Sequence, residues 1–400
     1  MGNIKAVQVF EEYLPITENW AYRLLHHTPD TDIAIFARRY CHTNFYPFEF
    51  KIIRRPDNYL YQADLLTRKD HPGQFLLKAL LKGLRQLYPS ALQALSRYLK
   101  THPVDVVHSH FANVAWDFHR VVRQQGIPHV LSFYGWDYER LPFEQPAFRQ
   151  HFQQLFAECA AIICEGPHGA STLINQGCPK EKIRIIHLGL DIDQIPYHPR
   201  QKASGQLDLI QIAAFSQTKG MIEAVEAFQR ALADCPNMTY TIVGVAREPA
   251  YRKQLDDLIQ RYDLMGKVKI LPKIEYPKIH QFLRDFHVFI HPSRYTANMD
   301  CEGGAPIIIL DAQATGLPVL ATQHCDIPNE VLDQQTGFLV EEGDIEDLAA
   351  KLRDFYFMEQ PAYEVMSRAA RRHMEQQFEV QHCGQQLGAV YQEIKLGRLG

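Results

Sequence analysis

The sequence predicts an α/β protein made of two doubly wound halves of similar size that face a central cleft. At 400 residues the chain exceeds one ordinary hydrophobic core, and a guide of roughly 150 residues per domain gives two or three domains. Short apolar runs alternate with longer helical patterns, which is typical of parallel sheets covered by helices. This alternation starts again after a polar segment, Tyr197–Gln206, which we interpret as the linker.

The first half contains five predicted strands with helical stretches between them. These strands are Ala6–Phe10, Ile33–Ala37, Val104–His108, Pro128–Phe133 and Ala160–Cys164. The run from Pro179 to Leu188 then leads to a turn at Gly189-Leu-Asp191.

The second half repeats the pattern, with predicted helices at Met221–Asp234 and Arg252–Tyr262. Its predicted strands are Leu207–Ala214, Thr239–Val243, Val268–Leu271, Val288–Ile290 and Val319–Thr322. Ligands of such sheets bind beyond the carboxyl ends of the strands, so we expect the site in the cleft between the halves.

Composition excludes several classes of protein. Hydrophobic residues make up 46% and charged residues 22%, as in folded globular proteins, and the net charge of −4 argues against a nucleic-acid partner. The eight cysteines are dispersed without zinc-ligand spacing, which favours a reducing cytoplasm. The first ten residues indicate a strand rather than a signal peptide, and no apolar run approaches the ~20 residues that cross a bilayer, so any membrane association is expected to be peripheral.

The stretch from Cys301 to Thr322 is the most informative in the chain. Gly303 and Gly304 allow a close backbone approach to a ligand, and Pro306 suits the first turn of a helix that Gly316 ends. Free N–H groups at such a helix N-terminus form a ready anion site. The alternative is a buried βα unit whose glycines only permit tight packing.

A second candidate is Lys219, which stands with Gly220 between the strand Leu207–Ala214 and the helix that follows. A lysine at this junction can contact a diphosphate through its charge and the helix dipole. The alternative for Lys219 alone is a solvated side chain that caps a loop.

Taken together, these two elements resemble glycosyltransferase family four, the retaining group 1 transferases with the GT-B fold. The resemblance extends in order along the second half. Further matching segments are Gly189-Leu-Asp191, His291-Pro-Ser293, the run from His324 to Glu330, and Gly337-Phe-Leu-Val340. It implies an N-terminal acceptor domain over residues 1–195, a donor domain over 196–375, and a C-terminal helical segment, 376–400, that crosses back to the first domain.

The resemblance also implies roles for individual residues on the donor side. Lys219 would bind the donor diphosphate, Glu302 with its loop would hold the donor sugar and phosphate, and Asp311 would accept from ribose hydroxyls. Arg294 would replace a family arginine whose position is Ala214 here, and Glu302 and Asp311 are one residue further apart than usual. The other residues expected on the donor side are Ser216, Gly303, Gly304, Ala305, Pro306 and Lys273.

The first half matches the family less closely. Tyr134 stands where many members have a histidine that touches the donor sugar, and we expect His110 in the cleft and His108 either there or in the core. Thr17, Glu18 and Asp137 are expected on the acceptor side, although Thr17 and Glu18 also fit a simple helix-capping pair.

Residues 75–88 form a basic amphipathic pattern, with Lys78, Lys82 and Arg85 among apolar residues. Such a helix can lie on an anionic membrane, although an ordinary helix packed on the sheet explains the same pattern.

We therefore expect a metal-independent hexosyltransferase without a resident cofactor, acting in the cytoplasm or at the inner face of the membrane. A UDP- or GDP-sugar would be the donor, and a glycan, glycolipid or lipid-linked oligosaccharide the acceptor. A nicotinamide dehydrogenase is discounted because no G-x-G-x-x-G follows either first strand. A catalytically silent scaffold of the same fold stays open, because Ala214 and Tyr134 both depart from the family pattern.

Overall fold

The computed structural model describes residues 2–15, 19–41, 50–53, 91–304 and 306–399. Two parallel sheets organise these residues, which confirms the prediction of two doubly wound α/β halves. The first sheet has the order β3-β2-β1-β4-β5-β6-β7. Its strands are β1 (Ile4–Tyr13), β2 (Thr31–Tyr40), β3 (Lys51–Ile52), β4 (Val106–His110), β5 (His129–Ser132), β6 (Ala161–Cys164) and β7 (Ile183–Ile185).

The helices of the first half cover both faces of this sheet. Every residue of β4, β5 and β6 is buried, as expected for parallel strands packed on both sides. The described helices are α1 (Asn19–His26), α2 (Ala91–Thr101), α3 (Ala112–Gln124), α4 (Arg140–Glu144), α5 (Phe148–Glu158) and α6 (Pro167–Asn175).

The second sheet is also entirely parallel, in the order β10-β9-β8-β11-β12-β13. Strand β8 therefore pairs with both β9 and β11, so the chain reverses its direction of winding between them. The strands are β8 (Leu207–Ile212), β9 (Met238–Val243), β10 (Val268–Leu271), β11 (Val288–His291), β12 (Val319–Thr322) and β13 (Gly337–Val340).

Eight further helices follow along the second half. They are α7 (Met221–Ala231), α8 (Pro249–Arg261), α9 (Tyr276–Leu283), α10 (Ile307–Ala314), α11 (Ile327–Glu330), α12 (Ile345–Phe357), α13 (Gln360–Gln377) and α14 (Val380–Lys395). Among the described helices, none is both long enough and apolar enough to cross a lipid bilayer.

Two chain segments pass between the halves side by side. Leu190 exchanges backbone hydrogen bonds with Phe378 and Val380, each at 2.8 Å, and forms a parallel bridge with Glu379. Gly189 has φ 70°, and a Cβ added there would lie 2.8 Å from Val380 Cα. The Gly-x-Asp turn thus lies where the chain leaves the first half and where it returns.

The last helix, α14, packs against α1, β1 and β4 of the first half. The hydroxyl of Tyr391 on α14 accepts a hydrogen bond from Gln8 Nε2 at 2.9 Å and lies 2.6 Å from His108 Nδ1. All three side chains are buried, so these contacts take the place of hydrogen bonds to water for each polar group. The core of the first half therefore includes the C-terminal end of the chain.

Several predicted boundaries are corrected by the structure. The predicted strand Val104–His108 is β4, two residues later, because Asp105 lies before it and accepts from Lys5 N with its carboxylate. The C-terminal helical segment expected over 376–400 is α14, which begins only at Val380 because residues 378–380 pair with Leu190 instead of continuing α13. Strands β3 and β7 were not predicted, since both are edge strands of only two and three residues, none of which is buried.

We expect Tyr391→Phe to destabilise the first half by about 1–3 kcal/mol, because the buried Gln8 amide and His108 ring lose a partner. Urea unfolding followed by fluorescence measures this change. The control is Tyr262→Phe, at a half-buried tyrosine for which no hydroxyl hydrogen bond is found among the described residues. Equal stability of the two variants would contradict this account.

Candidate active site

The loops at the carboxyl ends of the two sheets meet across the cleft through two glycine contacts. Gly135 follows β5 with φ 96°, and a Cβ added there would lie 1.8 Å from Gly303 Cα. A Cβ on Gly304 would lie 1.4 Å from Glu165 Oε2, at the end of β6. The loop before α10 therefore touches the first half with bare backbone: a Cβ at Gly135 would collide with backbone, and one at Gly304 would displace the Glu165 side chain.

Lys219 ends a short 3₁₀ turn, Gln217–Lys219, that joins β8 to α7. Its carbonyl accepts from Gln211 Nε2 at 2.7 Å, which anchors the turn to the strand. Gly220 has φ 61°, and a Cβ there would lie 1.9 Å from the Pro292 carbonyl oxygen. The Lys219 ammonium forms an ion pair with Glu302, and its side chain is 22% exposed, so a ligand in the cleft can reach it.

Glu302 is a buried carboxylate held by three side chains. Besides the Lys219 pair, its Oε1 accepts from His291 Nε2 at 3.0 Å and from Ser293 Oγ. Burial alone would raise its pKa, but the charge of Lys219 and the hydrogen bond from His291 hold the pKa of Glu302 well below its ordinary value. Glu302 is therefore an anion at neutral pH despite being only 5% exposed.

His324 fixes the backbone of the same loop. Its Nε2 accepts from Glu302 N at 3.1 Å, and its Nδ1 lies 2.6 Å from Glu342 Oε1. Glu342 also accepts from Tyr295 N at 2.9 Å. No site role was predicted from the sequence for these residues or for His291 and Ser293. The available signal was position, because His291 ends β11 and His324 follows β12 closely.

Asp311 lies in α10 with 1% exposure. Its Oδ1 accepts from Tyr276 OH at 2.9 Å and from His280 Nε2 at 2.7 Å, both on α9. The Tyr276 hydroxyl in turn accepts from Arg23 Nη1 at 2.7 Å, on α1 of the first half. The structure thus links Asp311 to the other domain, and its expected contact with ribose hydroxyls stays a prediction.

The other residues predicted on the donor side differ in their exposure and contacts. Ser216 is buried at the start of its turn, and the amide of Arg294 donates to Thr218 O at 3.0 Å. The Arg294 guanidinium pairs with Glu223 at 2.5 Å and is 44% exposed. Lys273 is exposed after β10, and Pro306 stands at the N-cap of α10 instead of inside its first turn.

His110 is not exposed in the cleft, contrary to the expectation from its place near the strand end. It is 0% exposed, stacks on Phe10 with ring centroids 4.0 Å apart, and burial holds its pKa well below the ordinary value. Its Nδ1 lies 2.6 Å from the hydroxyl of half-buried Tyr134. His110 is therefore a core residue that contacts Tyr134. His108 is also a core residue, and both of its ring nitrogens have hydrogen-bond partners.

Asp137 is also buried, which corrects its assignment to the acceptor side. Its carboxylate accepts from Ala112 N and Tyr134 N, each at 2.9 Å, and so joins the start of α3 to the loop after β5. Burial raises the pKa of Asp137 to about 7, against the backbone hydrogen bonds that favour its ionised form. Its function is to shape the loop that carries Tyr134 and Gly135.

Four predicted features lie outside the described residues. They are Thr17, Glu18, Ala305 and the basic segment 75–88.

Polar contacts close the two halves on each other around these loops. Asp326 accepts from His168 N at 2.7 Å and Gly169 N at 3.4 Å, at the N-terminus of α6 in the opposite half. Beside it, Glu139 Oε1 lies 3.0 Å from His168 Nε2 and accepts from Tyr295 OH at 3.1 Å. Hydrogen bonds with Cys325 and Glu139 raise the pKa of His168 to about 10, so it is a cation at neutral pH.

In chemical terms, the cleft presents a lysine ammonium, the N-terminus of α10 and an ionised glutamate within one pair of loops. The first two stabilise negative charge, as a departing diphosphate requires. Among the described residues, no cluster of three or more His, Cys, Asp or Glu side chains could hold a metal ion.

Comparison with known families agrees with this geometry. Residues 197–373 match the family model for glycosyl transferases group 1, and residues 36–194 match that for glycosyltransferase family 4. The two matches are adjacent and together cover most of the chain. The chain belongs to the group 1 glycosyl transferases.

This group 1 transferase is similar to curated proteins named for polysaccharide biosynthesis. It is 30% identical to WcaL of Salmonella typhimurium, named for colanic acid biosynthesis, over 62% of this chain and 60% of that protein. It is 28% identical to the amylovoran biosynthesis glycosyltransferase AmsK of Erwinia amylovora, over 66% and 64%. The matches thus span less than two thirds of the length of these relatives.

Solved structures show the same GT-B fold. A glycosyltransferase from Rickettsia africae superimposes with a TM-score of 0.72 at 16% identity, covering 98% of this chain and 99% of that one. HepE of Anabaena, solved with UDP and glucose, gives 0.70 at 16% identity, with 96% and 98% covered.

The depressed pKa of Glu302 makes its contribution to stability depend on pH. Stability from a carboxylate with a lowered folded pKa is present above the unfolded value, about 4.3, and is lost as the pH falls through the folded pKa. We expect Glu302→Gln to cost roughly 2 kcal/mol near pH 7 and progressively less toward pH 3.

Urea unfolding of wild type and variant across this pH range measures the difference. Glu364→Gln, on the outer surface of α13, is the matched control and should show a small difference at every pH. A cost of Glu302→Gln that stays constant down to pH 3 would refute the assigned ionisation.

Proposed function

We propose that this chain is a retaining glycosyltransferase that moves a hexosyl group from a UDP- or GDP-sugar to a hydroxyl of a glycan or lipid-linked glycan. The observation that carries the proposal is the Lys219 ammonium, partly exposed in the cleft and close to the loop that opens α10. A diphosphate leaving group needs such positive charge because its negative charge grows as the glycosidic bond breaks. The names of WcaL and AmsK support a polysaccharide acceptor.

A donor that binds Lys219 must break the ion pair between Lys219 and Glu302. In the absence of ligand, Glu302 neutralises the ammonium, and His291 and Ser293 keep the carboxylate in place. A bound diphosphate would pair with Lys219 in place of Glu302. The Glu302 carboxylate would then accept hydrogen bonds from hydroxyl groups of the donor sugar. Because His324 holds the backbone amide of Glu302, the exchange needs side-chain movement and little movement of the loop.

The proposed reaction needs little covalent chemistry from the protein. Same-face attack would place the acceptor hydroxyl beside the departing phosphate, which would take its proton, and the two domains would supply orientation. The contacts between Asp326 and α6 and between Arg23 and Tyr276 support closure of the domains around the donor. We propose that this occurs in the cytoplasm, at the inner face of the membrane.

A silent scaffold of the same fold is the second candidate, because Ala214 removes one family cation and the Arg294 guanidinium is paired with Glu223. A scaffold would bind a nucleotide without breaking down a sugar donor. Incubation with UDP- and GDP-sugars, followed by detection of released nucleoside diphosphate with and without acceptor, separates the two functions.

We expect Lys219→Ala to abolish stabilisation by UDP or GDP and to lower kcat at least about 100-fold, because the leaving group loses its cation. Wild type with nucleotide at 100 times Kd gains about 2.7 kcal/mol, which thermal-shift assays detect. Lys253→Ala, on the exposed side of α8, is the control and should behave as wild type. Unchanged nucleotide binding in Lys219→Ala would overturn the proposed site.

The proposed enzyme uses no metal or resident cofactor, so activity should survive EDTA. The measurement compares the initial rate of nucleoside diphosphate release after dialysis against EDTA with the rate after re-addition of Mg²⁺ or Mn²⁺. A rate that falls at least tenfold with EDTA and returns with metal would contradict metal independence.

A further inference from the structure

A pocket of about 370 Å³ lies at the outer edge of the seam between the domains. Helices α4 and α5 supply most of its wall, and Met299, from the loop that precedes Glu302, supplies part of it. Arg140, at the start of α4, pairs with Asp300 at 3.1 Å, next to Met299. The pocket is therefore complete only when the donor domain is seated on the first domain.

The wall of the pocket combines aromatic and amide side chains. Phe143 is 49% exposed, while Tyr138 and Phe152, which also line the pocket, are buried. Gln176 donates to Tyr138 O at 2.7 Å through Nε2, and its Oε1 has no hydrogen-bond partner among the described residues. Gln153 donates to Gln176 O at 2.7 Å. An aromatic face beside amide groups suits the apolar face and the hydroxyls of a sugar ring.

The charge in the pocket comes from Arg149 on α5. It is exposed, and its guanidinium forms no ion pair or hydrogen bond with any residue that the structure describes. The acidic wall residue, Glu139, is already engaged by His168 and Tyr295, and the raised pKa of His168 keeps a positive charge beside it. The unused charge of the pocket is therefore a guanidinium, which favours a carboxylate or phosphate.

We infer that this pocket is an acceptor subsite that binds a sugar carrying a negative charge, with Phe143 against the ring and Arg149 on the anionic group. The inference rests on the proposed function and specifies its acceptor. The anion is either a carboxylate of an acidic sugar or a phosphate attached to a sugar. Since Met299 closes the pocket from the donor domain, an acceptor bound there also favours the closed state in which transfer takes place.

Direct binding tests the pocket without requiring transfer. Cellobiouronic acid and cellobiose differ by one carboxylate, and glucose 1-phosphate provides the phosphate, so titration calorimetry with all three separates the two anions from a neutral sugar. We expect wild type to bind at least one anionic sugar, and Arg149→Ala to weaken that binding about tenfold. Phe143→Ala should weaken the binding of all three sugars.

The controls are Arg120→Ala, an exposed arginine on α3, and Phe357→Ala, a 56% exposed phenylalanine at the end of α12. Donor hydrolysis without acceptor should be unchanged in the two control variants, since neither Arg120 nor Phe357 belongs to the cleft or the pocket. Cellobiose bound as tightly as both anionic sugars, or equal losses in Arg149→Ala and Arg120→Ala, would overturn the subsite. Wild type that binds an anionic sugar through Arg149 but never releases nucleoside diphosphate would refute the transferase and leave the subsite intact.

Discussion

A single buried carboxylate, Glu302, organises the cleft. A carboxylate that is only 5% exposed is stable as an anion only if cations and donors surround it, and here Lys219, His291 and Ser293 do so. Lys219 follows β8, whereas His291 ends β11 and Ser293 follows it, so the carboxylate fixes the spacing of two strand ends. The Lys219 ammonium is thereby positioned before any ligand arrives, which lowers the cost of ordering it.

The two domains meet through groups of two kinds. Bare backbone at Gly135 and Gly303 sets the separation, because an extra Cβ on either would collide with the other chain. Polar contacts such as Asp326 with the start of α6 then set the orientation. Small residues allow the two backbones to approach closely, and the hydrogen bonds fix the relative orientation of the domains. Few apolar side chains are needed at such a boundary, which suits surfaces that separate to admit a substrate.

Much of the fold could be predicted from the sequence because fully buried parallel strands are short apolar runs, as in β6 and β12. The edge strands β3 and β7 were missed because their residues lack that signal. Likewise, the paired crossing of residues 190 and 379 depends on a contact almost 190 residues apart, which no local pattern records. The residue pattern of a short segment indicates whether the segment is buried. It does not indicate which distant segment pairs with it.

Residues of the candidate site were easier to predict where they share one loop than where they meet only in the folded protein. Lys219 was predicted from its place at a strand–helix junction, and Glu302 and Asp311 from the family resemblance of their loop and helix. The burial of His110 and Asp137 was not, because a polar residue near a strand end looks the same whether it faces ligand or the core. His291 and His324 act on Glu302 from separate strands, so their partnership appears only once the sheet is formed.

The return of α14 to the first half has a consequence for synthesis of the chain. Helix α14 begins at Val380, and its Tyr391 completes the polar core around His108, so the first domain lacks one wall until the segment that follows the second sheet has been synthesised. The donor sheet, whose strands end at Val340, is available for folding earlier. In this protein the half that leaves the ribosome first is the last to be completed, which reverses the usual order of folding during translation.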